Sequence, residues 1–225
     1  MGQFNYSQYL SRLNEFERVN APVELFLQGD ESLLQKGVRV SVVGSRKPSE
    51  NGVLRAQILT KALVEHGIIV VSGLAEGIDT VAHQTAIKEN GRTIAVLGTP
   101  FSKVYPASNK ALFEKIVNEH LAITQFPENY SVQKQNFPMR NRTMALISDA
   151  TIIVEASENS GTRHQGWEAL RLGRLVFILQ NIAENTQLTW PKEMLNYGAQ
   201  ILRREDMDTV FENIPSLTSS FDLAF

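Results

Sequence analysis

Arg39-Val40-Ser41-Val42-Val43-Gly44-Ser45-Arg46 is the stretch whose reading decides the fold. A β-branched apolar run stops at a glycine, and a helix-like segment follows at Val53 to His66. The unit recurs. Apolar runs at Ile68 to Ser72, Thr93 to Leu97, Leu121 to Thr124, Thr151 to Glu155 and Leu175 to Leu179 alternate with helix-like segments. Those segments are Ile78 to Asn90, Asn109 to His120, Arg140 to Ser148 and His164 to Leu172. Runs that are apolar on both faces are the signature of parallel strands covered on both sides. Strict β-α alternation with right-handed crossovers predicts an α/β fold: a doubly wound, mainly parallel sheet with helices on both faces. Such sheets bind their ligands at the carboxyl ends of the strands.

The ends of the chain read differently. Tyr9 to Arg18 suits a short helix and Glu24 to Gln28 an extra strand. After the last parallel run come a helix at Pro191 to Tyr197, a strand at Gln200 to Leu202 and a helix near Met207 to Asn213. Ser216 to Ser220 reads as a polar linker, and Ser220 to Phe225 as an apolar tail that docks in a partner groove or packs on its own domain. At 225 residues with 43% hydrophobic content the chain can bury a sizeable core. It has no cysteine, which excludes disulfides, thiolate metal sites and cysteine nucleophiles and fits a reducing compartment. No signal peptide and no apolar run of about 20 residues is visible, so the expected place is the cytoplasm, away from membranes.

The charge balance is near neutral, 22 Lys and Arg against 24 Asp and Glu, so the chain is no general polycation. Three windows nevertheless lack acids altogether. Ser32 to Ser49 holds Lys36, Arg39, Arg46 and Lys47; Asn90 to Phe113 holds Arg92, Lys103 and Lys110; Asn129 to Ser148 holds Lys134, Arg140 and Arg142. A solvated face normally mixes signs, so these windows point to a polyanion at the shared strand-end rim. Within the last window, Phe137-Pro138-Met139-Arg140-Asn141-Arg142 combines a ring with two guanidinium groups, at the end of a long loop expected from Gln125 to Met139. Phosphates call for Lys or Arg, and unstacked bases call for a flat ring. Phe101, Tyr105, Phe137 and Trp167 are the candidate stacking platforms, which favours a single strand over a duplex.

Glycines punctuate the same loops: Gly44-Ser45-Arg46-Lys47, Ser72-Gly73-Leu74-Ala75-Glu76-Gly77-Ile78-Asp79, Gly98-Thr99-Pro100-Phe101 and Ser160-Gly161-Thr162. They allow backbone N–H groups to face an anion, or they are plain turn chemistry. Neither a dinucleotide fingerprint nor a P-loop is present. Asp79 and His83 share a helix face, as an acid–base pair or as a cap with a structural hydrogen bond. The histidines are scattered, and no spacing indicates a metal. The serine-hydrolase elbow is missing. Glu155, at a strand end, is expected to orient a loop arginine or a backbone N–H.

Taken in order, these residues resemble the DprA/Smf family of bacterial DNA-processing proteins. The likeness runs from about Pro22 to Ile178. It includes Leu25-Phe26 with Gly29-Asp30, Val43-Gly44-Ser45-Arg46, Ser72 to Asp79 with Ala82-His83, and Thr93 to Gly98. Tyr105-Pro106, Phe137-Pro138 with Arg140-Asn141-Arg142, and Val154-Glu155-Ala156 with Ser160-Gly161 complete it. The resemblance implies an extended Rossmann fold at residues 38–214, between an extension at 1–37 and a tail at 215–225. It implies a single-stranded DNA-binding homodimer that assists recombination and natural transformation, helps load a RecA-type recombinase, and is not an enzyme. Arg46 and Arg140 would contact phosphates and Phe137 would stack on a base, with Lys134 a further phosphate contact. Gly44, Ser45, Lys47, Gly73, Arg142, Ser160 and Gly161 complete the expected DNA-binding set, with no catalytic residue, cofactor or metal. The chain departs from the family pattern at Thr162 to Glu168, where a Thr-Ala pair is usual, and at Leu179-Gln180-Asn181, where a Pro-Gly turn is usual. Gly161-Thr162 with Glu168 also loosely resembles the phosphate loop of lysine-decarboxylase-like nucleotide phosphoribohydrolases. The alternative expectation is therefore a nucleotide-binding or nucleotide-hydrolysing enzyme or sensor, including one in phage defence.

Overall fold

The computed structural model describes residues 13–216. The expected tail motif at Ser220 to Phe225 and the start of the expected Tyr9 to Arg18 helix lie outside them. One eight-stranded sheet organises the described residues, in the order β1-β5-β4-β3-β2-β6-β7-β8. The strands are β1 Phe26–Gly29, β2 Arg39–Gly44, β3 Ile69–Ser72, β4 Thr93–Leu97, β5 Leu121–Thr124, β6 Ala150–Glu155, β7 Leu175–Leu179 and β8 Gln200–Leu202. All pairs are parallel except β1 with β5, where Phe26 faces Thr124 and Gly29 faces Leu121. The expected α/β doubly wound sheet is what forms. β1 continues that sheet, so residues 26–29 of the N-terminal extension share its hydrogen-bonded ladder.

The helices are α1 Glu15–Asn20, α2 Glu50–Glu65, α3 Ile78–Lys88, α4 Lys110–Glu119, α5 Asn136–Ile147, α6 Thr162–Arg171, α7 Gln180–Ala183, α8 Trp190–Asn196 and α9 Met207–Glu212. Strand alternation sorts the apolar side chains into two layers. Val40 and Val42 pack with Leu59 and Leu63 of α2 and Ile78 and Ala82 of α3. Val43, Val71 and Val96 pack on the other face with Met144 to Ile147 of α5 and Ala169 of α6. Both faces of β2, β3 and β6 are therefore covered, which is why nearly every residue in them is buried; the one hydroxyl of β2, on Ser41, is paired with Ser148 Oγ at 2.7 Å.

The direction of winding reverses at β2. From there β3, β4 and β5 step outward to one side, and β6, β7 and β8 to the other. The loops after β2 and after β6 thus part at a topological switch point, where α/β sheets open a crevice. A register shift falls between Val43 and Gly44 at that end, leaving Gly44 opposite Glu155. Glu155 closes the base of the α2 turn: its carboxylate accepts from Ser49 N (2.8 Å) and Ser49 Oγ (2.6 Å). Ser49 Oγ in turn accepts from Gly52 N at 2.9 Å as the N-cap of α2, a contact worth about 1 kcal/mol. The backbone N–H, one of the two partners expected for Glu155, is the one it takes.

Two polar ties fasten the core. At the amino end of β2, Arg39 and Asp149 are both buried, with Nε 3.6 Å from Oδ2 and Arg39 N donating to Oδ2 at 2.6 Å. His83 of α3 is fully buried. Its Nδ1 lies 2.7 Å from Thr93 Oγ1, which itself donates to Val70 O, so α3 is pinned to β3 and β4. Burial, reinforced by the nearby His120 and Arg140, lowers the His83 pKa from 6.5 to about 3. The unfolded chain therefore binds a proton on this residue below pH 6.5 that the folded chain refuses, and stability falls as the pH falls. This group alone removes about 2 kcal/mol of folding free energy on going from neutral pH to pH 5. Urea titrations of the parent and His83→Asn across that range will show a shallower pH slope in the variant; parallel slopes would mean that His83 is not held neutral.

Candidate nucleic-acid interface

The crevice at the switch point is a cleft of about 450 Å³. One wall is the loop after β2, with Gly44, Ser45, Arg46 and Lys47; the opposite wall is the loop after β6 and the start of α6, with Ser160, Gly161 and Gln165. Phe137 and Arg140, in the first turns of α5, form its end. Eight of the eleven residues expected in the site thus border one cavity, and a ninth, Gly73, borders the adjoining niche with Arg46, Phe137, Arg140 and Tyr105. The remaining pair stand apart. Lys134 is exposed in the loop between β5 and α5. Arg142 is turned to Glu168, with Nε 3.0 Å from Oε2.

The guanidinium of Arg140 is the anchor of the site. The residue is 5% exposed, and Nη1 donates to Val96 O at 3.1 Å. Burial pushes the Arg140 pKa down, opposed by the Asp79 charge; burial likewise pushes the Asp79 carboxyl up, opposed by Arg140 and by the N–H groups of Ala75 and Gly73. The guanidinium stays charged, because its intrinsic basicity lies far above neutral pH. Asp79 accepts from Gly73 N at 3.1 Å and from Ala75 N at 3.4 Å. The loop after β3 is thereby wrapped around the carboxylate. Gly73 leaves the space that the guanidinium fills: an added Cβ would overlap Arg140 Nη1 and force it to move. Its role is to make room for a cation.

Phe137 is half-buried, against the backbone of Gly98, where a Cβ would fall 2.8 Å from the ring. The ring centroid is 5.6 Å from that of Tyr105, and the exposed Arg46 guanidinium lies over the ring at 5.6 Å. A cation over a ring at that distance contributes about 0.5–1 kcal/mol at an exposed site. Asn109 ties this side together, its Nδ2 reaching Leu74 O at 2.9 Å and Thr80 Oγ1 at 2.8 Å. Glu76, exposed on the same loop, places a negative charge at the niche rim opposite the cations.

Several expectations need correction. The loop expected to run to Met139 ends earlier: α5 starts at Asn136, so Phe137 stands on a helix turn, with Pro138 in the first turn, where its missing N–H is harmless. The three basic windows do not converge as whole segments. Arg39 is buried at the amino end of β2, and Arg92, just before β4, reaches Glu119 O on that same far edge. Lys110 pairs with Glu114. The cations that border the cleft are Arg46, Lys47 and Arg140; Lys134 is on the loop before α5, and Lys103, after β4, reaches Tyr130 O. Of the four candidate rings, Phe101 is buried on Phe113 and Trp167 packs edge-on against Tyr197. Only Tyr105 and Phe137 face the niche. Sequence spacing could not separate these, because strand direction decides which end of a basic run reaches the rim.

Three groups with catalytic potential are engaged by internal partners, while His164 borders the cleft and is exposed. Asp79 holds loop N–H groups and His83 holds Thr93, so they do not act as a pair. Glu168 is bound by Arg142 and Arg171 (Nη1 to Oε1, 3.1 Å), and Thr162 Oγ1 donates to Gly44 O at 2.9 Å. Among the described residues no cluster of His, Cys, Asp and Glu could hold a metal ion, and no helix is long and apolar enough to cross a membrane.

Comparison with known proteins assigns the chain. The family model for DNA recombination-mediator protein A matches residues 2–215. DNA processing protein DprA of Bacillus subtilis is 36% identical over 195 residues, covering 86% of this chain and 65% of that protein. Across the first curated relatives it matches, the chain spans 42% to 65% of their length. Among solved structures, DprA from Streptococcus pneumoniae superposes with a TM-score of 0.79 at 33% identity, over 92% of this chain and 70% of that one. DNA processing protein A from Helicobacter pylori, described for its unique single-stranded DNA binding mode, gives 0.77 at 25% identity, over 86% of this chain and 89% of that one. Matched along nearly its whole length in both sequence and fold, the chain belongs to the DNA recombination-mediator protein A family, the proteins named DprA and Smf.

Proposed function

We propose that this protein binds single-stranded DNA at the carboxyl rim of its sheet and serves DNA processing and recombination. The observation that carries the reading is the joint presence, at the switch-point cleft, of three cations and a ring. Arg46, Lys47 and Arg140 neutralise phosphates, and Phe137, backed by Tyr105, offers a face to an unpaired base. A duplex keeps its bases stacked and would leave that ring unused. The H. pylori relative, described for single-stranded DNA binding, supports the same ligand here. Because Asp79, His83 and Glu168 are spent on internal partners, the site suits holding a strand better than cleaving a nucleotide. As part of this reading, the protein acts in the cytoplasm as a homodimer, delivers the strand to a RecA-type recombinase, and contributes to transformation or related DNA transactions. Light scattering and a RecA filament-assembly assay test those two partnerships.

Fluorescence anisotropy with labelled oligo-dT across a salt series tests the cation set. Replacing Arg46 and Arg140 with Ala together will weaken binding and lower the salt slope by about 1 for each phosphate no longer neutralised, whereas Arg142→Ala will leave the slope unchanged. An unaltered slope in the double variant would remove the site. Gly73→Ala will reproduce the Arg140→Ala defect, since the methyl group must displace the guanidinium; wild-type affinity in that variant would show Arg140 to be dispensable. Phe137→Ala will cost roughly 1–3 kcal/mol of binding with cooperative melting retained. Unfolding of that variant would instead mark the ring as core.

A further inference from the structure

The two long walls of the cleft differ in chemistry. The β2 side is cationic. The α6 side is lined by hydroxyl and amide groups and by the exposed His164 imidazole, and its half-buried hydroxyls are already committed. Ser160 Oγ donates to Thr162 Oγ1 at 3.0 Å, and Thr162 Oγ1 donates to Gly44 O. Gln165 is the exception. It borders the cleft, is 1% exposed, and has no hydrogen-bond partner at either Nε2 or Oε1. Asn136 is also buried with both amide atoms unpaired, but it does not border the cleft. Native proteins rarely leave both ends of a buried carboxamide unpaired, because its desolvation is then uncompensated.

The chemistry of the missing partner follows from the group itself. A carboxamide presents one donor beside one acceptor, so its complement is a planar edge with an acceptor beside a donor. Nucleobases carry such edges. A phosphate oxygen accepts only, and would set its charge against Oε1; phosphates belong to the guanidinium wall. The 450 Å³ of the cleft lies within the usual range for a small-molecule site and accommodates a base with its sugar.

We propose that the α6 wall is a nucleobase-reading subsite, in which the Gln165 carboxamide pairs with the edge of one base while Arg46 and Arg140 hold the adjoining phosphate. The proposal deepens the strand-binding reading and rests on it for the phosphate side. The base comes either from a bound strand or from a free nucleotide, and the two sources are separable by experiment.

Anisotropy titrations would compare the intact protein with Gln165→Met on oligo-dT, on a strand of equal length built of abasic sugar-phosphate units, and on the four deoxynucleoside monophosphates as competitors. Gln165→Met is expected to weaken oligo-dT binding about ten-fold while leaving the abasic strand unaffected. The ligand-free variant should melt at the same temperature or higher, since it buries no unpaired amide. Gln165→Leu serves if Met fails to fit. Equal oligo-dT affinity in parent and variant would overturn the subsite and leave strand binding intact. If the parent ignores oligo-dT but is stabilised by a monophosphate through Gln165, the subsite holds a free nucleotide and the strand reading fails. Binding of neither ligand by the parent would overturn both.

Discussion

Everything at the rim depends on placing one guanidinium almost out of water. Arg140 carries a full charge at the carboxyl ends of β3 and β4, where only a backbone oxygen and a buried carboxylate compensate it. Val96 O accepts from Nη1, and Asp79 supplies an opposing charge nearby while its Oδ2 accepts from the Gly73 and Ala75 N–H groups. The two groups are not within ion-pair distance, but each charge offsets part of the other's burial. The arrangement explains why the loop after β3 needs a glycine where it passes the guanidinium and a left-handed residue, Leu74 at φ 57°, just beyond. The loop conformation, the position of α3 and the floor of the cleft are set together.

The parts of the fold that were legible in the sequence are those dictated by burial on both faces. Val42 to Val43, Ile69 to Val71 and Ile152 to Val154 are apolar on both faces because α2 and α3 cover one side of the sheet and α5 and α6 the other. The switch point followed from chain order, and with it the pooling of Gly44 to Lys47 with Ser160 and Gly161. What could not be read was which cations survive as free groups. Arg39, Arg92 and Arg142 look like Arg46 in a charge count. They differ only in the end of the strand they occupy and in the partner, Asp149, Glu119 O or Glu168, that the fold brings to them. Gln165 was invisible for the opposite reason: a glutamine at a helix start has no pattern, and its lack of partners exists only after α6 has docked.

The surroundings of the cleft are braced without any disulfide. Asn109 joins the loops after β3 and β4, Glu155 joins the β2 and β6 loops through Ser49 and the N–H of Gly52, and Thr162 bridges to Gly44 O. Each brace is a short polar side chain bonded to backbone, so the rim is preorganised at little entropic cost on binding. Arg174, paired with the buried Glu17 of α1, extends the same logic to the far side of the chain and fastens the N-terminal helix onto the body.

The glycines of the cleft also divide it by evolutionary freedom. At Gly73 and Gly98 any side chain would strike Arg140 or Phe137, whereas a Cβ at Gly161 would meet nothing within 4 Å. Gly73 and Gly98 border the niche beside the cleft and leave it no room for added bulk, whereas the turn at Gly161, in the cleft wall, has space for a side chain. Drift at the Gly161 turn can therefore change the outline of that wall while the packing around Arg140 and Phe137 is inherited unchanged, so the shape of the cleft can vary without passing through a broken fold.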